Sequence, residues 1–537
     1  MSRRWLTFVS LVLALMVLLP ILTVLSSIAV GPYDIWQHLY DTVLADYVIN
    51  SFSLAFGVSI GVLLIGVPSA WLVSLYDFPL RKQLTWLLLL PLAIPAYIIA
   101  YTYTGLLDFA GPLQSWIRSV SGWQYGDYWF FEIRSLTGAM LMLTLVLYPY
   151  VYLLARSAFV DQSASIVEAS QTLGHNRLKS MWLVAFPMAR PAIVVGVSLA
   201  IMETLADYGT VEYFGVNTFT TGIFRTFYGF GDLAAAAQLS GVLFLFVLVL
   251  FLIEKKSRNQ SRYFQKQGKL NPRITLTGKH AFLATLFCCL PVMFGFFIPV
   301  AQLTHWAMNE AIISKGFLQL VWNSFSLAAF ASVLVLVCGA FLAYCKRLVS
   351  QQWNIQLINA AGMGYALPGT IIAIGVLIPL TWLDHQFIGF TKAVFNYEGG
   401  LILSGSLFIL LIAYLVRFLT ISLNAVDSGL QKISPNIDSA AQLMGERPMG
   451  VFKNIHLPLL KGSIFTALLI VFVDVLKELP ATLILRPFDF NTLAVKAYEL
   501  ASDERLIDAA PASLLIVIVG LLPVFLLSRS IDNIGTK

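Results

Sequence analysis

The chain has 537 residues, 58% of them hydrophobic and 12% charged, with a mean hydropathy of +0.80 and a formal net charge of +6. A soluble domain carries about 25% charged residues, so this composition excludes a soluble globular protein and describes a polytopic membrane protein. The positive charge gathers in loops between apolar runs, with no basic stripe interleaved with exposed aromatics, and so gives no argument for nucleic acid as a partner.

An all-α chain is expected. Apolar runs long enough to cross about 30 Å of hydrocarbon begin near Trp5, Ser51, Thr85, Leu136, Pro191 and Ala235, and again near Ala281, Ser324, Ile355, Leu401, Gly462 and Pro511. They make twelve spans, six in each half. Arg3 and Arg4 ahead of residues 6–30 imitate a secretory signal. That run is too long for a signal core and its counterpart, residues 281–300, is internal, so it reads as a retained first span.

Short cytoplasmic loops retain Lys and Arg. Arg81 and Lys82, Arg177 and Lys179, Lys346 and Arg347, and Lys432, Arg447 and Lys453 fall in alternate loops, while Asp34, Asp108, Asp127, Glu132, Asp384, Glu398 and Asp503 mark the intervening ones. Lys255, Lys256, Arg258, Arg262, Lys266, Lys269, Arg273 and Lys279 form the densest basic cluster, which could touch anionic membrane lipid. The expected organisation is a first half over 1–254, a basic cytoplasmic linker over 255–279 and a second half over 280–537, with both termini cytoplasmic. Cys288, Cys289, Cys338 and Cys345 lie in or beside spans without metal or disulfide spacing and read as packing residues.

The halves repeat one another. Asn50-Ser51-Phe52-Ser53-Leu54-Ala55 recurs as Asn323-Ser324-Phe325-Ser326-Leu327-Ala328, and residues 94–100 match 367–373 around Pro95 and Pro368. Equal span order and orientation make this a parallel repeat about an axis along the membrane normal. Between spans, two polar segments also match, at about 161–187 and about 432–458. Ile166, Ala169 and Leu173, and Ile437, Ala440 and Met444, recur at i, i+3 and i+7, giving each segment a short helix with one apolar stripe that the following glycine ends or bends. Such a helix suits a groove on a soluble partner. The competing reading, a helix lying on the membrane surface, fits one copy better than two at matched positions.

No Gly-x-x-x-x-Gly-Lys-Ser/Thr loop, no metal-binding helix and no catalytic constellation is present, so no enzyme activity, cofactor or resident metal is expected. The charges that call for a function are Glu203, Asp207 and Glu212, and in the second half Asp474, Lys477 and Glu478. Ionisable groups near a helix centre in a membrane cost at least about 2.5 to 3.5 kcal/mol and normally line an interior or aqueous path. Glu203 with Asp207, and Asp474 with Glu478, are spaced i and i+4, which would put each pair on one helix face as an acidic lining for a translocated cation. Alternatively, Asp474 and Lys477 neutralise each other and the acids cap loop ends.

Glu168-Ala169-Ser170, Gly174, Val184, Phe186 and Pro187, and Ser439-Ala440-Ala441, Gly445, Ile455, Leu457 and Pro458, resemble the Glu-Ala-Ala, glycine, Ile-x-Leu-Pro motif of permease subunits of binding-protein-dependent ABC importers. The resemblance covers essentially the whole chain and implies the type I ABC importer permease fold. In that family the motif is the coupling helix that inserts into a nucleotide-binding subunit. Two copies imply two ABC ATPase subunits, a periplasmic substrate-binding protein and a place in the bacterial inner membrane. Ser170, Val184, Phe186 and Ser439 depart from the pattern, and Asp438 precedes the position where the second glutamate would stand. The stretch 203–210, with Tyr213-Phe214-Gly215-Val216 and residues 218–223, is similar to fused permeases for ferric iron, whose acidic residues would suit a hard cation that prefers oxygen ligands. Permeases for polyamines, thiamine or sulfate share fold and motif; an ion-coupled secondary transporter is the reading from another class.

Overall fold

The structure is a computed structural model that describes residues 3–29, 34–124, 126–160, 172, 179, 183, 185–261, 273–309, 316–348, 351–396 and 400–535. Among these, ten helices are long and apolar enough to cross a membrane, and two bent helix pairs bring the number to twelve if each is one span. The all-α polytopic architecture follows from the hydropathy: in hydrocarbon only a helix satisfies its own backbone donors and acceptors.

The run near Thr85 is not one straight helix. Residues Arg81–Ala93 and Ala96–Ser121 meet at 91°. Ile94 is forced extended (φ −100°, ψ 119°) by Pro95, whose ring crowds the residue before it. Leu367 ahead of Pro368 is extended in the same way (φ −91°, ψ 137°) and starts the helix Gly369–Phe395. Thus the repeated Pro95 and Pro368 mark repeated breaks. A second bent pair, Pro448–Leu459 with Lys461–Leu476 at 78°, contains Pro458.

The chain forms two compact units that cut across the sequence halves. One comprises Leu39–Thr221, Leu245–Ile313 and Ala497–Lys537. In it the helices Leu44–Leu75, Leu136–Val160 and Phe186–Ala206 pack together. Gly66 permits a close approach, since a Cβ there would lie 2.9 Å from Val151 Cβ and 3.0 Å from the Tyr148 carbonyl oxygen. The helices Gly278–Val292 and Ile298–Asn309, from the second half by sequence, belong to this unit; Tyr103 Oη donates to the Phe294 carbonyl at 2.7 Å. The parallel bridge Tyr76–Asp77 with Ile274–Thr275 ties the end of the basic segment to the same unit.

The other unit comprises Met1–His38, Gly222–Phe244 and Ser314–Lys496. Helix Phe317–Leu348 packs on Leu407–Gln431 and Lys461–Leu476, and Gly339 repeats the role of Gly66: a Cβ would fall 2.7 Å from Ser422 Cβ. Helix Arg3–Ile28, from the first half, lies against Gly369–Phe395 and Gln352–Ala361, with Asn354 Nδ2 donating to Ser10 Oγ at 3.1 Å. Helix Leu233–Ser261 carries Lys255, Lys256 and Arg258 onward, and a new helix starts at Gly278.

Candidate functional site

The acids in the spans sit at helix breaks. Helix Phe186–Ala206 ends before Asp207, which is extended (φ −68°, ψ 132°). Its Oδ1 accepts from the backbone N–H groups of Thr210 (3.0 Å) and Val211 (3.2 Å), and Oδ2 accepts from Thr210 Oγ1 (3.0 Å). Asp207 therefore caps the short helix Gly209–Tyr213, satisfying donors that no helical carbonyl reaches and setting a negative charge at the positive helix end.

Glu478 does the same in the second half. Helix Lys461–Leu476 ends two residues before it. Glu478 Oε1 accepts from Ala481 N (3.0 Å), and Oε2 accepts from Thr482 N (2.9 Å) and Thr482 Oγ1 (2.6 Å), capping Pro480–Leu485. Both carboxylates reach the N–H groups at i+3 and i+4. The side chain of Glu478 is 1% exposed, and Arg417 Nη1 supplies its counter-charge at 3.0 Å.

These geometries correct the i, i+4 helix-face reading. Each helix stops before the second acid, so Asp207 and Glu478 turn away to cap the next element. Asp474 and Lys477 form an ion pair of 2.8 Å. Glu203 remains half-buried on its helix, and Glu212 lies on the capped helix Gly209–Tyr213. Around the first break stand buried phenols: the rings of Tyr208 and Tyr97 lie 5.9 and 6.4 Å from that of Tyr498, and Tyr208 and Tyr498 are hydrogen-bonded. Among the described residues no group of three or more His, Cys, Asp or Glu could hold a metal ion.

The matched serines of the repeat serve the same breaks. Ser51 Oγ accepts from Phe219 N at 3.1 Å and Ser324 Oγ from Leu493 N at 2.7 Å, each fastening the backbone beyond a break to the start of a long helix.

Of the two polar segments, Glu168, Ala169, Ser170 and Gly174 lie outside the described residues; Pro187 sits in the first turn of Phe186–Ala206. The backbone of the second segment is described throughout. Ser434 precedes Pro435 at the first position of helix Pro435–Leu443, where a missing N–H costs nothing. Gly445 (φ +88°) closes it, with Glu446 N donating to the Ala441 carbonyl at 3.1 Å, a termination that needs the left-handed region glycine enters freely. The predicted stripe faces outward: Ile437 is 39% and Met444 79% exposed, with Leu443 beside them at 89%. Ser439 and Ala440 are exposed too, and Ala441 is buried. Pro458 lies in the turn that leads into Lys461–Leu476.

Asp438 occupies the inner face of this helix. Its Oδ2 accepts from Arg347 Nε at 2.7 Å and its Oδ1 pairs with His456 Nε2 at 2.7 Å. Burial by itself would raise this carboxyl, but the hydrogen bonds from Arg347 and His456 outweigh it and hold Asp438 below its ordinary value of 3.8. Sequence reasoning took Arg347 only as a loop marker and passed over Arg417 and His456 as site residues. Arg417 had a signal, a lone base inside the apolar run 407–419.

Residues 62–256 match the family described as binding-protein-dependent transport system inner membrane component. The chain is 25% identical over 542 residues to the Fe(3+)-transport system permease protein FbpB 2 of Haemophilus influenzae, covering 98% of this chain and 99% of that one. It is 22% identical to the ferric transport system permease protein FbpB of Actinobacillus pleuropneumoniae, across 80% of this chain and 63% of the relative. A 29% identity to the sulfate transport system permease protein CysT of Salmonella typhimurium covers 41% of this chain and 79% of the relative.

Proposed function

We propose that this chain, whose residues 62–256 match the family of binding-protein-dependent transport system inner membrane components, is a multi-pass inner-membrane permease, the membrane subunit of an ATP-driven importer of iron(III). A periplasmic binding protein delivers the cargo. Two separate ABC ATPase subunits bind the cytoplasmic face, one at each repeated segment of the halves 1–254 and 280–537, and both termini lie on that face.

The observation that carries this reading is the outward apolar stripe of Pro435–Leu443. A short helix that buries Ala441 and half-buries Asp438 against its own chain, while Leu443 and the following Met444 stand exposed, is shaped to enter a partner's groove. Glu168, Ala169, Ser170, Gly174 and Pro187 in the first copy, and Ser439, Ala440, Ala441, Gly445 and Pro458 in the second, are the residues assigned to ATPase coupling. ATP binding moves these helices, and the spans follow between outward-open and inward-open arrangements.

Iron(III) as cargo is supported by near end-to-end likeness to a permease named for Fe(3+) and by the oxygen groups at the breaks. We assign Glu203 and Glu212 to meeting the cation on the translocation path; Asp207 shapes the break within their own unit, and Asp474, Lys477 and Glu478 shape the corresponding break within the other unit. Permeases named for other cargoes, sulfate among them, make the alternative substrates.

The test is purification of the chain with its ATPase subunits and measurement of ATP hydrolysis with candidate loaded binding proteins. Stimulation by the iron(III)-loaded one is the expected result. Stimulation by a sulfate- or polyamine-loaded protein instead would replace the cargo, and transport without any ATPase, driven by an ion gradient, would replace the class.

A further inference from the structure

The second polar helix is fastened to its own chain by a three-way polar clasp. Asp438 projects inward from Pro435–Leu443 and takes one charge-assisted bond from each of two neighbouring elements. Arg347 comes from the last turn of the long helix Phe317–Leu348. His456 comes from the segment Phe452–His456 that leads into Lys461–Leu476. Both carboxylate oxygens are used, at 2.7 Å each.

The rest of the arrangement holds these groups in place. Arg347 also donates to the Leu430 carbonyl and, at 3.0 Å, to the Ile433 carbonyl, so its guanidinium is spread over the end of Leu407–Gln431 and the turn beyond it. His456 is wholly buried, and its Nδ1 has no partner among the described residues, so Asp438 is what orients the ring. Tyr344, one turn before Arg347, packs 5.6 Å from the His456 ring and donates to the Pro448 carbonyl at 2.5 Å.

In the first half the matched positions carry other residue types. Aligned on the glycines at 174 and 445 and the prolines at 187 and 458, Asp438 corresponds to Val167 and His456 to Ala185; aligned on the Asn-Ser repeats, Arg347 corresponds to Ser74. Ser74 bonds within its own helix, to the Ala70 carbonyl. Three polar residues thus replace three small or apolar ones together, which is what one cooperating unit requires, since any member left buried without the others is costly.

We propose that Asp438 is a positioning residue of the transport cycle, the pin by which motion of the second cytoplasmic helix is passed to Phe317–Leu348 and Lys461–Leu476, and that the two halves are therefore coupled unequally to their ATPases. This rests on the importer reading. A helix held by two short charge-assisted bonds to two different spans moves with them as one body; without the clasp it can tilt alone.

The test uses the full complex of permease, ATPases and the binding protein that stimulates the parent. Asp438→Asn keeps the size and one acceptor but removes the charge. His456→Leu removes the second donor, whereas His456→Gln restores an N–H donor. The expected result is that Asp438→Asn and His456→Leu keep the co-purifying ATPase and its basal hydrolysis but lose stimulated uptake by about fivefold or more, that His456→Gln recovers most of it, and that Ser74→Ala changes nothing. Uptake within twofold of parent in both Asp438→Asn and His456→Leu overturns the proposal. Loss of ATPase from the complex in either variant also overturns it, in favour of a purely structural clasp. If Asp438→Asn does not accumulate, the His456→Leu and His456→Gln pair decides. A parent complex with no ATP-dependent uptake would instead show that the importer reading has failed.

Discussion

Arg417 Nη1 and Glu478 Oε1 lie 3.0 Å apart, with the Glu478 side chain 1% exposed. The first half puts Asp207 where Glu478 stands and leaves the position of Arg417 apolar, at Val146. Asp207 is half-buried and works as a cap, whereas Glu478 is a cap and half of a buried ion pair. The same carboxylate role thus has different energetic stakes in the two halves.

Removing the charge of Glu478 strands Arg417. Glu478→Gln is expected to destabilise the folded protein by about 3 to 5 kcal/mol, the cost of leaving one buried charge unpaired. Asp207→Asn, which loses a cap's charge and keeps an acceptor, should cost about 0.5 to 2 kcal/mol. Thermal unfolding in detergent measures both. The double variant Arg417→Met with Glu478→Gln should recover much of the loss; equal effects of the two single variants would contradict the assignment.

Gly369 makes room for that pair. A Cβ at this position would lie 2.1 Å from Arg417 Nη1, 2.7 Å from Glu478 Oε1 and 3.2 Å from Ala481 N. The guanidinium can shift, but the carboxylate is held by the backbone of 481 and 482. Gly369→Ala is expected to lower stability by about 1 to 3 kcal/mol through overpacking. In the Arg417→Met background the penalty should shrink, which a double-mutant cycle reads directly.

Ser51 and Ser324 form a matched pair of tests. Each hydroxyl accepts from a buried backbone N–H beyond a helix break. Replacing either with alanine should cost about 1 to 3 kcal/mol, the penalty of an unsatisfied buried donor. Hydrogen exchange should show the amides of Phe219 and Leu493, respectively, losing protection, and each only in its own variant.

Asp438 carries a pH dependence with a definite sign. Its carboxyl titrates below 3.8 in the folded protein because Arg347 and His456 bond to the charged form more than burial disfavours it. A depressed folded value means that its contribution to stability is complete above about pH 3.8 and is lost as pH falls through the lower folded value. The stability gap between the parent and Asp438→Asn, followed by limited proteolysis near the Pro435–Leu443 helix, should be present at neutral pH and close only below that range.

Gly445 illustrates how far local pattern reaches. Its place after an amphipathic stripe implied a helix end, and the left-handed backbone at φ +88° is that end. The breaks at Pro95 and Pro368 were not foreseen: the two prolines were read only as matched positions inside a span, although proline constrains its own and the preceding residue wherever it stands. Likewise, the acids at 207 and 478 were placed on helix faces because hydropathy does not mark where a helix stops within one or two residues. One residue's difference turned a lining side chain into a cap.

What the sequence determined by itself was therefore mainly periodic: an all-α membrane chain, its repeat and the stripe on the second polar helix. Only the tertiary structure decided that Arg3–Ile28 packs with the second half's helices and Gly278–Asn309 with the first half's, that Arg417 answers Glu478 61 residues away, and that Asp438 faces Arg347 and His456. Hydrophobicity acts through composition and period, which a sequence displays. The partner of a buried charge is chosen by which helices close packing brings within about 3 Å, and residues such as Gly66, Gly339 and Gly369 set that distance by lacking a side chain.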